Sequence, residues 1–261
     1  MADELRLALA ELHQKERKLL KAPAWTAPIK ESLYPKIPKQ VYTALTAAFE
    51  KSFRMLFIHG SSILEKTISM QEISQKLSLH ELQMELFPNR KTLRLHSRQV
   101  KQSLAGGNAF AVLSGAGLGL LGFGLPDIPL FTALLLRCML KTAAQYGIDW
   151  HSTQEQCYLL RLMRTALSHG DSRRVANLYL ERTFSEPDLQ LEQEISRTSA
   201  VLAQSLLAEK FVQGMPLIGT VGAAVNHVVY RKIAAWSCVK YQKRYLLQQI
   251  QLREQKNICP V

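Results

Sequence analysis

Residues 109–137 read AFAVLSGAGLGLLGFGLPDIPLFTALLLR and form the most unusual part of the chain. The first arm, residues 109–125, carries no charge and is rich in glycine, and a second apolar arm follows over residues 130–136. Two prolines lie in the turn between the arms, and proline ends helices because it lacks a backbone N–H. We therefore expect a glycine-rich helical hairpin over residues 106–136.

Helical patterns flank this hairpin on both sides. Apolar residues recur at helical spacing from Val41 to Glu85, from Arg137 to Leu167 and over residues 194–255. Few alternating runs of β-branched or aromatic residues occur, so that strands are not indicated. The predicted fold class is all-α, a helical bundle with the glycine-rich apolar hairpin at its centre.

The N-terminal part of the chain has a different composition. Residues 2–21 have the pattern of a charged amphipathic helix, and four prolines follow between residues 23 and 38. Such a proline-punctuated stretch is typical of an extended arm. We predict an N-terminal charged helix and proline-rich arm over residues 1–39 and an all-α domain over residues 40–255.

The charge balance indicates an anionic partner. The 261 residues include 33 Lys and Arg against 21 Asp and Glu, a formal net charge of +12. Such an excess favours a phospholipid surface or nucleic acid. No helix-turn-helix pattern is present, and only residues 240–245 interleave aromatic with basic residues, which disfavours nucleic acid.

Basic residues flank the apolar segments, as expected for a hairpin held at the cytosolic face of a membrane. Four of them recur at helical spacing before the hairpin, and others follow the second glycine-rich segment. Lys240, Lys243 and Arg244 extend this basic flank. The predicted lipid- or anion-binding residues are Arg90, Arg94, Arg98, Lys101, Arg231 and Lys232.

A polar cluster is expected at the base of the hairpin, where an apolar helix becomes amphipathic at Arg137. A buried arginine needs a partner, since an unpaired buried charge costs several kcal/mol. The cluster is predicted from the nearby acids and consists of Asp127, Arg137, Asp149 and Glu155. It is either a salt bridge that fixes the hairpin to the next helix, or the polar pocket of a hydrolase or ligand-binding enzyme.

Small residues predict close helix contacts. Gly115 with Gly119, and Gly219 with Ala223, have the small-xxx-small spacing that lets helix backbones approach, and Asn226 is a polar residue available between helices. The contact lies either inside a soluble bundle or in a bilayer. A helical span needs about 20 apolar residues, which neither arm offers, so the membrane form would be a re-entrant or interfacial hairpin.

Enzyme motifs are absent from the chain: there is no HExxH, no GxSxG and no GxxxxGK[ST]. The segment GLGLLG matches a dinucleotide fingerprint, but prolines interrupt the helix that it requires and no strand pattern follows. Scattered histidines and four widely spaced cysteines form no zinc pattern. We predict no cofactor and no metal. The charged N-terminus lacks an apolar signal segment, which indicates a cytoplasmic protein.

Two motifs resemble the EcsC family. One comprises the glycine-rich run, the LPDIP turn at 125–129, Arg137 and YGID at 146–149; the other is MPLIGTVGAAVNHVVY at 215–230. The resemblance covers about residues 40–250. The family typically has an acidic pair in the following helix, whereas here Glu155 precedes glutamine and cysteine.

This resemblance implies an accessory component of ABC-type transporters or of secretion, without a catalytic mechanism. We therefore predict a non-enzymatic cytoplasmic protein that associates peripherally with an anionic membrane surface.

Overall fold

The computed structural model describes residues 2–22, 38–58, 64–65, 68–87, 89–119, 127–212 and 222–258. Over these ranges the chain forms nine α-helices and no β-strand, which confirms the all-α fold. In chain order they are α1 (Ala2–Lys21), α2 (Lys39–Ile58), α3 (Met70–Leu86), α4 (Arg90–Gly119), α5 (Asp127–Gln145), α6 (Thr153–Leu167), α7 (Gly170–Glu181), α8 (Leu191–Val212) and α9 (Gly222–Ile258). A short 3-10 turn, Thr183–Ser185, follows α7.

Helix α9 organises the bundle. It is 37 residues long and packs against α1, α4, α5, α6 and α8. Its buried side chains are large, and they include Tyr230, Ile233, Trp236, Tyr241 and Leu246. A second group of contacts joins α8 to α2 and α6, and α6 to α7. The core is therefore continuous from α1 to α9.

The break between α5 and α6 shows how local sequence sets a boundary. Gly147 has a φ of 70°, a left-handed conformation that suits glycine. Its amide donates to the carbonyl of Ala144, and the Ile148 amide donates to that of Ala143, both at 3.0 Å. This pair of bonds is the Schellman motif that ends helices. Ser152 then caps α6 by accepting a hydrogen bond from the Glu155 amide.

The predicted hairpin is described in part. The basic segment at 90–104 and the glycine-rich residues up to Gly119 form one continuous backbone helix, α4, which contacts α5. The turn at 120–126 lies outside the described residues. A glycine-rich hairpin at the centre of the bundle thus stays a prediction. No helix among the described residues combines the length and apolar character needed to cross a bilayer.

Helix α1 is part of the packed bundle. Its residues Leu5 and Leu12 are fully buried in the common core, and the helix contacts α9, α4 and α7. Arg173 of α7 also donates hydrogen bonds to the carbonyls of Leu19 and Ala22 at the end of α1. The predicted division of the chain at residue 39 stays a prediction, since the residues from 23 to 37 are outside the described part.

Candidate anion-binding site

The basic stripe predicted on α4 lies along a groove between α1 and α4. At 3.6 residues per turn, its four basic residues fall within about 80° of the helix circumference. They lie beside the apolar face of α4, which includes the buried Leu93 and Val100. Packing of this apolar face therefore fixes the direction in which the basic side chains point. The groove has a volume of about 310 Å³. Its basic lining residues are Lys15, Arg90, Arg94, Arg98 and Lys101.

Helix α1 forms the opposite wall of this α1–α4 groove. Burial of Leu12 turns Glu11 and Lys15, which are four residues apart, towards α4. Gln242 of α9 also lines the groove, and its side-chain amide donates a hydrogen bond of 2.6 Å to the Ser97 hydroxyl. The sequence analysis did not include Glu11 or Lys15, because it treated α1 as part of a separate arm.

Positive charge is in excess in the groove. Among the described residues that line it, Glu11 is the one carboxylate, against five cationic side chains. Glu11 contacts Arg90, and its Oε1 lies 3.0 Å from Nη2 of Arg94. Burial lowers the pKa of Lys15, and repulsion from Lys101 and Arg94 lowers it further. Among the described residues, the groove therefore holds more cations than its lining carboxylate can neutralise.

Donors are available to an incoming anion. Arg94 is 66% exposed at its side chain, and Arg98 and Lys101 are also exposed. Within the described part of the chain, the buried Nε of Arg90 has no hydrogen-bond partner. Guanidinium groups present planar forks of N–H donors that match phosphate and carboxylate oxygens. The arrangement can thus bind an anion by several charge-assisted hydrogen bonds.

The other two predicted anion-binding residues lie elsewhere. Arg231 and Lys232 are on α9 and do not line the α1–α4 groove. Arg231 is exposed, whereas the Nζ of Lys232 is 3.0 Å from Oε1 of Glu209. The structure therefore brings four of the six predicted residues together. A lipid-binding role for all six stays a prediction.

Asp149 and Glu155, the two predicted cluster acids whose side chains are described, have separate contacts. Glu155 is buried and accepts hydrogen bonds from Tyr241 at 3.0 Å and from Arg244 at 2.7 Å. Asp149 is exposed and contacts His151, and this hydrogen bond lowers the pKa of Asp149. Arg137 is half-buried on α5, and the side chain of Asp127 lies outside the described part.

Asp149 and Glu155 therefore contact different groups, and the cluster around Arg137, as a salt bridge or as the pocket of an enzyme, stays a prediction. His151 also contacts Glu65 at 2.8 Å, and Asp149 and Glu65 together raise the pKa of His151. Asp149 thus belongs to a surface cluster, while Glu155 belongs to the interior beneath α9.

The predicted helix-packing residues are described only at the backbone or not at all. Gly115 and Gly119 lie in α4, and Ala223 and Asn226 lie in α9, but their side-chain surroundings are outside the described part of the structure. Gly219 falls in the undescribed range before α9. Close contact of the two glycine-rich segments stays a prediction.

Buried ionic groups are the feature that the sequence analysis missed. Lys240 is 1% exposed and contacts Glu16, Glu181 and Asn177. On α6, Arg161 contacts Glu186 at 2.6 Å and Glu194 at 3.0 Å. A charged residue within an apolar helical pattern is a weak signal for such pairs.

The expectation that Lys240, Lys243 and Arg244 extend a membrane-facing basic flank is wrong. Lys243 contacts Glu16 and Glu181, and Arg244 contacts Glu155. Their face of α9 is turned towards acids on α1, α6 and α7. These three cations are therefore not available to a membrane.

Thiol and metal chemistry receive little support from the described residues. Burial raises the pKa of the thiols of Cys138, Cys157 and Cys238, to about 12, 11 and 11 respectively. A thiolate is therefore disfavoured at each position. Within the described ranges, no three His, Cys, Asp or Glu residues form a group that could hold a metal ion.

Comparison with known proteins identifies the family. A curated relative, Protein EcsC of Bacillus subtilis (strain 168), is 24% identical over 143 residues, which cover 53% of this chain and 52% of the relative. The chain thus aligns with about half the length of this relative. No solved structure was found to match. The model of the EcsC protein family matches residues 6–246, which include most of α1 and the residues that line the groove. The chain therefore belongs to the EcsC protein family.

Proposed function

We propose that this protein is a peripheral membrane protein that binds anionic phospholipid surfaces through the α1–α4 groove. The observation that supports the proposal is the excess of cations along one groove, where Glu11 is the one acid in the described lining. An accessory role beside an ABC-type transporter or in secretion, which the family resemblance implies, is part of the same proposal. We propose a non-enzymatic role at the cytoplasmic face.

The charge in the groove is large enough for surface binding. Each basic side chain near an anionic leaflet contributes about 1 kcal/mol. An excess of four positive charges therefore contributes roughly 4 kcal/mol, which corresponds to about a thousandfold in partitioning. The exposed apolar residues Leu7 of α1 and Leu95 of α4 are available for additional interfacial contact.

Vesicle flotation tests the proposal. The purified full chain is mixed with vesicles of phosphatidylcholine, with or without phosphatidylglycerol, at low and at high salt. We expect flotation only with the anionic vesicles and weaker flotation at high salt. The triple variant R94Q/R98Q/K101Q should bind about a hundredfold more weakly, at about 1 kcal/mol per charge.

A matched control separates the groove from general net charge. The variant K51Q/R174Q/R182Q removes three exposed positive charges from α2, α7 and the end of α7. It should bind within a fewfold of the unchanged protein. Equal loss in both triple variants would assign binding to diffuse charge and contradict the role of the groove. Absence of flotation with anionic vesicles at low salt would contradict membrane binding altogether.

A further inference from the structure

The α1–α4 groove already contains one anion, the carboxylate of Glu11. This carboxylate contacts Arg90, and the Nη2 atom of Arg94 lies 3.0 Å from its Oε1 and 3.4 Å from its Oε2. A carboxylate between two guanidinium groups occupies the position that an oxyanion of a ligand would take. The side chain of Glu11 is one-third exposed, so it can move aside without unfolding α1.

A single carboxylate leaves this site incompletely neutralised. Lys15, Arg98 and Lys101 line the same groove, and the part of the chain that the structure describes places no second carboxylate there. This excess of positive charge indicates a ligand with more negative charge than Glu11 supplies.

We propose that the α1–α4 groove binds a phosphomonoester group, which displaces Glu11 from Arg90 and Arg94. The proposal rests on the proposed function, because it names the chemical group that the same groove selects. The group belongs to a lipid headgroup such as that of phosphatidic acid, or to a free phosphomonoester.

The choice of a monoester over a diester follows from charge and shape. A phosphomonoester carries a charge of about −1.5 to −2 at neutral pH and three terminal acceptor oxygens. A phosphodiester carries one charge, which only replaces the charge of the displaced Glu11. The groove, at about 310 Å³, is at the lower end of the range for small-ligand sites and suits a phosphate with a short glycerol body.

Titration calorimetry of the full chain tests this preference with soluble probes. The probes are glycerol 3-phosphate as the monoester and glycerophosphoglycerol as the diester. We expect the monoester to bind about tenfold more tightly. Arg94→Gln should weaken the binding of glycerol 3-phosphate by about tenfold, because it removes one guanidinium fork.

Glu11→Gln provides the sharper test because it removes the competing carboxylate. We expect it to strengthen glycerol 3-phosphate binding by roughly fivefold, since the ligand no longer has to break an ion pair. Glu4→Gln, an acid on the same helix outside the groove lining, is the matched control and should leave the affinity unchanged. Thermal melts of both variants establish that α1 remains packed.

Vesicles distinguish the two sources of the group and separate this proposal from the proposed function. Vesicles with phosphatidic acid and with phosphatidylglycerol are compared at equal surface potential. Preference for phosphatidic acid supports a lipid source. Binding of glycerol 3-phosphate without any vesicle flotation supports the free ligand and contradicts the proposed membrane function.

Two results would overturn the inference. One is equal binding of the monoester and the diester, both as soluble probes and as vesicle lipids. This result would indicate binding to anionic surfaces by charge alone. The other is a weaker or unchanged affinity in a folded Glu11→Gln variant, which would show that Glu11 does not compete with the ligand.

Discussion

Two basic segments of similar composition have opposite environments in this protein. The four basic residues of α4 lie along an open groove, and Arg94 is 66% exposed. On α9, Lys240, Lys243 and Arg244 point into the bundle, and Lys240 is 1% exposed. Of the α4 cations, Arg90 and Arg94 contact the same acid, Glu11, whereas the α9 cations contact several acids on other helices.

The difference comes from the helices that face each segment. α9 lies at the centre of the bundle, so its basic segment meets Glu16 of α1, Glu155 of α6 and Glu181 of α7. α4 has its basic stripe at the edge of the bundle, where α1 lies opposite and supplies Glu11 as the one acid in the described lining of the groove. A cluster of Lys and Arg is therefore a binding surface only where the fold leaves it without enough acids. The α9 cations hold helices together, and the α4 cations are available to a ligand.

The largest expected effect is on stability at Lys240. Lys240→Met leaves Glu16 and Glu181 with Lys243 as their remaining shared cation. Removal of one partner of a buried ion pair costs up to about 3–5 kcal/mol. Denaturant unfolding measures this loss. Lys101→Met, on the exposed stripe of α4, should change the free energy of unfolding by no more than about 0.5 kcal/mol. Similar losses in the two variants would remove the distinction between the segments.

A smaller loss of stability is expected when a substitution at Arg244 retains the positive charge but changes the shape of the charged group. The guanidinium of Arg244 lies 4.6 Å from the ring centre of Tyr158 and 4.5 Å from that of Phe184, and it donates to Glu155. Arg244→Lys removes the planar group that stacks on these rings and should lower the free energy of unfolding by about 1–2 kcal/mol. Arg94→Lys in the open groove serves as the counterpart, for which unfolding curves should superimpose on those of the unchanged protein.

The α9 cluster should also make stability sensitive to acid. Burial raises the pKa of Glu181, but Lys240 and Lys243 lower it by more, so that it lies below its ordinary value of 4.5. A pKa lowered by folding stabilises the protein above about pH 4.5, and this contribution is lost as the pH falls through the folded-state value.

Unfolding free energies measured across this acidic range test the effect. Glu181→Gln should lower the free energy of unfolding at neutral pH. It should also make the decrease of this free energy at acidic pH less steep. Asp188→Asn, at an exposed position before α8, should leave the acid profile as it is. An unchanged profile in Glu181→Gln would contradict the assigned role of the cluster.

The smallest effect concerns repulsion within the groove. Lys101→Gln removes one of the charges that lower the pKa of Lys15, so this pKa should rise towards 10.5. Nitrogen-detected NMR titration of the lysine ammonium groups measures the change directly. Lys51→Gln on α2 is the control. A Lys15 pKa that did not respond to Lys101→Gln would show that these two ammonium groups do not interact across the groove.

Local sequence accounts for much of the fold. The glycine at 147 and the serine at 152 predict the end of α5 and the start of α6, because a left-handed residue and a side-chain cap satisfy helix ends within a few residues. The stripe on α4 was also predictable, because helical spacing alone puts Arg90, Arg94 and Lys101 on one face. These features depend on residues that are neighbours along the chain.

The pairing of charges could not be predicted in the same way. Lys240 meets Glu16 across 224 positions, and Arg94 meets Glu11 across 83. The contribution of Lys15 to the groove depends on how α1 packs through Leu5 and Leu12, which no local pattern specifies.

The sequence by itself thus determined the all-α class, several helix ends, the excess of positive charge and the direction of the α4 stripe. Only the tertiary structure decided which basic residues are neutralised and which remain open to an anion. The physical reason is the separation along the chain over which each effect acts. Helix formation and capping act over a few residues, whereas burial and charge pairing depend on which helices pack together.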